Sequence, residues 1–169
     1  MVTGREPSGQ GAGVDAERQE AVALAEELRR VAQGDAWHGP ALAELVADVS
    51  PERAATRPIP GGHTIWELVL HVAAWAEVWR RRFDGETVGD PPDGDFPPVG
   101  DPSPVAWTRA LARLREAHER LVERIARLTP AELDATVPGR DYSNRFLARG
   151  AIRHAVYHSG QIGLLKKAR

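Results

Sequence analysis

The residues best suited to chemistry are two histidines four apart, in His154-Ala155-Val156-Tyr157-His158. On a helix such a pair lies on one face with Cβ atoms about 5–6 Å apart, so a single metal ion can reach both. The stripe that carries them, Leu147, Ala151, His154, His158, Ile162 and Leu165, is otherwise apolar and turns both imidazoles toward a core. A buried imidazole without a hydrogen bond or a metal costs on the order of 1–3 kcal/mol, so each must find a partner. A third histidine, His71, poses the same demand inside Leu68-Val69-Leu70-His71-Val72-Ala73-Ala74-Trp75. Two readings stand open from the residues alone: hydrogen-bonded core histidines, or metal ligands. The chain has no cysteine. That excludes disulfides, thiolate ligands and a cysteine nucleophile, and leaves His, Asp and Glu to hold any metal.

Helices must position these groups. From Asp15, the residues Ala21, Leu24, Leu28 and Val31 follow helical spacing to about Gln33, where Gly34-Asp35 interrupts it. A shorter helical piece carries Leu42, Leu45, Val46 and Val49, and Ser50-Pro51 stops it or begins a further turn. The stretch from Arg53 to Gly62 reads as loop. Thr64-Ile65-Trp66-Glu67 has capping-box spacing and predicts a helix from Thr64 to about Phe83, with Asp84-Gly85 ending it. The stretch from there through Pro104 holds six prolines and few apolar residues, which predicts a long irregular excursion of the kind that often covers sites.

Ser103-Pro104 predicts the start of a helix reaching Leu128, with Trp107, Leu111, Leu114, Leu121, Ile125 and Leu128 spaced by threes and fours. His118 takes the remaining position of that stripe. Thr129-Pro130-Ala131-Glu132 predicts one further turn, and the last helix spans about Arg145 to Lys167. No segment combines alternating polarity with β-branched residues, so strands are not expected. The expected fold class is all-α, a four-helix bundle with a long crossover connection.

With 169 residues, 42% of them hydrophobic and 27% charged, the chain has the length and balance of one soluble domain. Residues 1–13, rich in Gly, Ser and Gln, are expected to be a disordered leader, and 14–169 the folded domain. The net charge of −2 from 22 basic and 24 acidic residues recruits neither nucleic acid nor an anionic membrane. No stretch approaches the roughly 18–20 apolar residues that span a bilayer, and the first residues lack a signal-peptide core. The expected location is cytoplasmic, with a small-molecule substrate and neither nucleic acid nor membrane as partner.

The sequence resembles the DinB/YfiT-like family. The likeness lies in Pro60-Gly61-Gly62-His63-Thr64-Ile65-Trp66-Glu67-Leu68-Val69-Leu70-His71, similar to the loop and helix leading to that family's first metal histidine. It lies also in His154 to Ile162, similar to the family's terminal H-x-x-x-H followed by G-Q-I, and in Trp37-His38-Gly39-Pro40-Ala41-Leu42. It runs from about Trp37 to Leu165. The resemblance implies an up-and-down-type bundle with a long crossover, a homodimer, and one divalent ion held by His71, His154 and His158. No family motif maps onto the proline-rich stretch from Gly89 to Pro104.

Three neutral imidazoles leave a divalent ion coordinatively open, which favours catalysis over a purely structural role. Zinc or nickel leads the expectation, with iron and manganese also open, since imidazole suits several metals. Three functions follow. The resemblance implies that a low-molecular-weight thiol serves as cofactor in S-transfer to small electrophilic or xenobiotic substrates. A metal-activated water attacking an ester or amide gives a hydrolase instead. A stress-associated metal-binding protein without turnover is the third, because no general base stands out: Glu67 lies one turn before His71, but its capping role already explains it. His118 is read as a core residue or as a partner of the site, and His63 and His38 as ordinary polar residues. Trp66, Trp75, Trp79 and Trp107 are read as core or pocket wall, Gly160 as permitting close helix approach, and Gln161 as bonding backbone or orienting a metal-bound imidazole. Arg80-Arg81-Arg82 is read as a solvated helix end.

Overall fold

The structure, a computed structural model, describes residues 10–168, with side chains described from residue 19 onward. Its elements are α1 (Gln10–Gln33), α2 (Leu42–Val46), α3 (Pro51–Ala55), α4 (Ile65–Phe83), α5 (Pro104–Ala126), α6 (Pro130–Asp134) and α7 (Asn144–Lys167). The described residues contain no strand, only an isolated bridge between Thr136 and Ser143. The fold is all-α, as the sequence predicts. Helix α1 begins at Gln10, before Asp15, and the rest of the leader expected over 1–13 falls on residues 1–9, outside the described ones.

The helix boundaries follow from local chemistry. Thr64 caps α4 by accepting from the Glu67 N–H (3.1 Å) while Glu67 Oε2 accepts from the Thr64 N–H (2.8 Å). At its other end Gly85 adopts φ 84°, which lets the Glu86 N–H turn back to the Arg81 carbonyl at 3.1 Å. Ser103 caps α5 with Pro104 in its first turn, and Ser143 caps α7 one residue earlier than the hydrophobic pattern suggests.

The four long helices pack pairwise: α4 lies against α5 and α7, and α1 lies against the same two. Between them are two apolar clusters. One joins α1 to the far end of α4, to Ala117, Leu121 and Ile125 of α5, and to Leu147 through Ala155 of α7. The other joins α2 and α3 to Leu68, Val69 and Val72 of α4, to Trp107 and Leu114 of α5, and to Ile162 and Leu165 of α7. The histidines of the core sit at the junction. His71 lies on α4 near the change from Ala73 to Ala76, His118 lies on α5 just after the change from Leu114 to Ala117, and His154 and His158 flank and follow Ala155 on α7, before Ile162. The polar groups thus form a layer between two dry halves, where a missing partner is most costly.

Candidate metal centre

Helix α4 supplies His71 and α7 supplies His154 and His158, and their Nε2 atoms converge from 83 and 87 residues apart. The three Nε2–Nε2 separations are 2.9 Å for His71 with His154, 3.1 Å for His71 with His158 and 3.1 Å for His154 with His158. His71 and His158 are buried and His154 is half-buried. Among the described residues these three are the group positioned to hold a metal ion.

The far sides of two rings are fixed. The His71 Nδ1–H donates to the backbone carbonyl of Asp95 at 2.6 Å, and the His158 Nδ1–H donates to Gln161 Oε1 at 2.6 Å. Each of those bonds puts the proton on Nδ1 and leaves an Nε2 lone pair aimed at the centre, which is the tautomer a metal requires. With two such lone pairs 3.1 Å apart, a proton on His154 Nε2 can satisfy only one of them. A cation at the centre satisfies all three. Buried His154 Nδ1 has no hydrogen-bond partner.

The site also disfavours protonation. Burial, with repulsion from His158, His71 and His118, pushes the His154 imidazole down to about 3. Burial pushes His158 down to about 4 although Gln161 opposes it, and lowers His71 although Asp95 opposes it. At neutral pH all three are uncharged donors, as metal ligation needs.

Aromatic rings enclose the donors. Phe96 lies flat on His71, with ring centres 4.1 Å apart and planes 7° from parallel, and His63 lies on the other face of Phe96 at 3.6 Å and 7°. Trp79 stands edge-on to His154 at 4.8 Å, and Tyr157 stands edge-on to His158 at 5.0 Å. Trp75 donates its Nε1–H to Asp95 Oδ1 at 2.7 Å. A surface cleft of about 560 Å³ is lined by α1, Ala36 to His38 and Val156, and none of the triad lines it.

The sequence located the three converging histidines and the Gln161 contact but not Asp95, Phe96 or the role of His63. Phe96 carries one usable signal: it is the sole aromatic between Asp84 and Ser103. Three expectations are corrected. His63 is not simply a polar loop residue, since it stacks on Phe96 beside the centre. Arg82 is not solvated: it is buried, donates to the Val88 carbonyl (3.1 Å), the Gly89 carbonyl (2.7 Å) and Tyr142 Oη (3.3 Å), and lies 5.6 Å from the Trp75 ring centre. Arg80 and Arg81 do face solvent and pair with Asp84 and Glu86. Gly160 does not mediate a close approach, because a Cβ added there meets nothing within 4 Å. His118 is a core residue, donating from Nδ1 to the Leu114 carbonyl at 2.9 Å, with burial lowering its pKa.

Among the described residues, helices, four of them long and packed in pairs around three convergent imidazoles, define an all-α protein with a histidine triad positioned for a metal ion. The chain belongs to the DinB superfamily, whose family model matches residues 35–162. No curated protein and no solved structure matches it. The matched span holds all three histidines and the Asp95-Phe96 segment. No helix among the described residues is long and apolar enough to cross a membrane.

Proposed function

We propose that the protein binds one divalent metal ion through His71, His154 and His158 and uses it as a thiol S-transferase on small electrophilic substrates. The observation that carries the metal is the triangle of Nε2 atoms, 2.9–3.1 Å on a side, with the Nδ1–H groups of His71 and His158 already donated elsewhere. With metal–nitrogen bonds of about 2.0–2.1 Å, an octahedral face has edges of about 2.9 Å and a tetrahedral one about 3.3 Å. The triangle is close to the octahedral value, which suits three ligands on one side of an ion and open positions on the other. Zinc and nickel both accept such a donor set, as do iron and manganese.

When bound, a divalent ion supplies Lewis acidity that lowers the pKa of a coordinated thiol or water. The choice of thiol over water rests on what the chain itself offers. Glu67 is committed to the Thr64 cap and to Arg57 at 2.5 Å. The Asp95 carboxylate accepts from Trp75 through Oδ1, which also lies 3.3 Å from His71 Nδ1, on the side of that ring away from the converging Nε2 atoms. A thiol starts from a pKa of about 8.5 against about 15.7 for water, so the ion has far less acidification to supply before the sulfur is a nucleophile. The rings of Phe96, Trp79 and Tyr157 beside the donors offer a soft, weakly polar surface to sulfur and to an apolar electrophile.

Elemental analysis of tag-free protein and of His71→Ala and His154→Ala tests the metal. About one ion per chain, absent from both variants, is the expected result. Cobalt-substituted protein then tests the reaction. A near-ultraviolet sulfur-to-cobalt band on adding a small aliphatic thiol supports S-transfer, turnover of an activated ester without thiol identifies a hydrolase, and tight metal retention with neither response identifies a binding protein without turnover.

A further inference from the structure

The proline-rich connection between α4 and α5 has no helical or strand pattern, yet two consecutive residues of it grip the triad. The Asp95 carbonyl accepts the His71 Nδ1–H at 2.6 Å, and the Asp95 carboxylate accepts the Trp75 Nε1–H one turn further along α4 at 2.7 Å. The next side chain, Phe96, is half-buried between two imidazoles, with ring planes 7° from parallel to both His63 and His71. His63 lies just before the α4 cap and His71 two turns beyond it, so both faces of the Phe96 ring are clamped by the start of the same helix.

We propose that Phe96, backed by His63, is a positioning residue that sets the tautomer and ring orientation of His71 and thereby the metal affinity of the centre. The inference rests on the metal-binding reading of the triad given above. A backbone carbonyl can fix an imidazole only if the backbone that bears it is fixed. Residues 90–100 contribute no helix, and the hydrogen bonds holding the segment near the site are those of Asp95. Pro91 and Pro97 are buried and Val99 packs on the core, but Phe96 is the side chain of the segment that lies directly on His71, adding aromatic contact to the area it buries. Loss of the stack frees the Asp95 carbonyl, and His71 is then at liberty to carry its proton on Nε2, the form with no lone pair facing the centre. Partners that orient a ligating histidine in this way alter metal affinity by about 10–100-fold.

The test compares Phe96→Leu, Phe96→Tyr and His63→Ala with wild type and with His71→Ala. Leucine keeps apolar bulk but cannot stack, tyrosine keeps the stack, and His63→Ala removes the backing ring without touching a triad member. Zinc affinity by chelator competition is expected to fall about tenfold or more in Phe96→Leu, to fall less in His63→Ala, and to stay near wild type in Phe96→Tyr. Long-range ¹H–¹⁵N spectra of the imidazoles in the metal-free proteins are expected to show His71 protonated on Nδ1 in wild type and Phe96→Tyr, and shifted toward Nε2 protonation in Phe96→Leu. Wild-type affinity and an unchanged His71 tautomer in Phe96→Leu, with zinc lost in His71→Ala, overturn the positioning role and leave the metal reading intact. Zinc bound neither by wild type nor by any variant overturns the metal reading and the affinity role with it. Far-ultraviolet circular dichroism confirms in each case that the helices are retained.

Discussion

Replacing Gln161 by leucine should weaken metal binding without removing a ligand. In the folded protein Gln161 Oε1 accepts the His158 Nδ1–H at 2.6 Å, and His158 is only 5% exposed, so water cannot readily replace the amide. A buried donor left without an acceptor costs about 1–3 kcal/mol. That cost falls mainly on the metal-bound state. Without metal, His158 can move its proton to Nε2 and donate to His71 or His154, both about 3 Å away. With metal, Nε2 is occupied and the proton must remain on Nδ1, facing a methyl group. The difference corresponds to a loss of about 10–100-fold in affinity, or about 1.4–2.7 kcal/mol. Gln161→Glu keeps an acceptor at the same distance and adds charge, so it should bind at least as tightly as wild type. Chelator competition on the three proteins measures the effect, with His158→Ala as the reference for complete loss. Equal affinity in wild type and Gln161→Leu, with binding lost in His158→Ala, would falsify the argument that an acceptor for the Nδ1–H tunes this ligand.

Metal-free protein should lose stability as pH falls from about 6.5 toward 4.5, because unfolded histidines titrate near 6.5 whereas burial holds His154 at about 3 and His158 at about 4 in the fold. The unfolded chain binds more protons across that window, so thermal melts should shift downward there, and the shift should shrink in His154→Gln. Arg82→Met should destabilise by about 2–4 kcal/mol in urea titration, since it strands the Val88 and Gly89 carbonyls that the buried guanidinium satisfies; a loss below 0.5 kcal/mol, as at ordinary surface sites, would show that water reaches those carbonyls. Thr64→Ala should cost about 1 kcal/mol through loss of the α4 cap, with Thr64→Ser restoring most of it.

Much of the architecture was legible because its causes are local. Capping is set by neighbours in sequence, so Thr64 with Glu67 and Ser103 with Pro104 announce the starts of α4 and α5 regardless of what packs on them. Periodicity placed His118, His154 and His158 on inward stripes, since an i, i+4 relation is fixed by the helix itself. The family likeness covering Trp37 to Leu165 agrees closely with the matched span of 35–162.

What the chain alone determined was therefore the set of helices, their buried faces and four histidines turned toward a core, His71, His118, His154 and His158. Only the tertiary structure decided that His71 meets His154 and His158 at 2.9 and 3.1 Å, because that depends on how α4 lies against α7. It likewise decided that Arg82 is buried and that Gly160 faces open space, outcomes of which neighbour covers each helix face. The Asp95-Phe96 contacts were least accessible of all. They join residues 24 positions apart through a segment without regular structure, where no period constrains a side chain and the partner is chosen by packing of the whole.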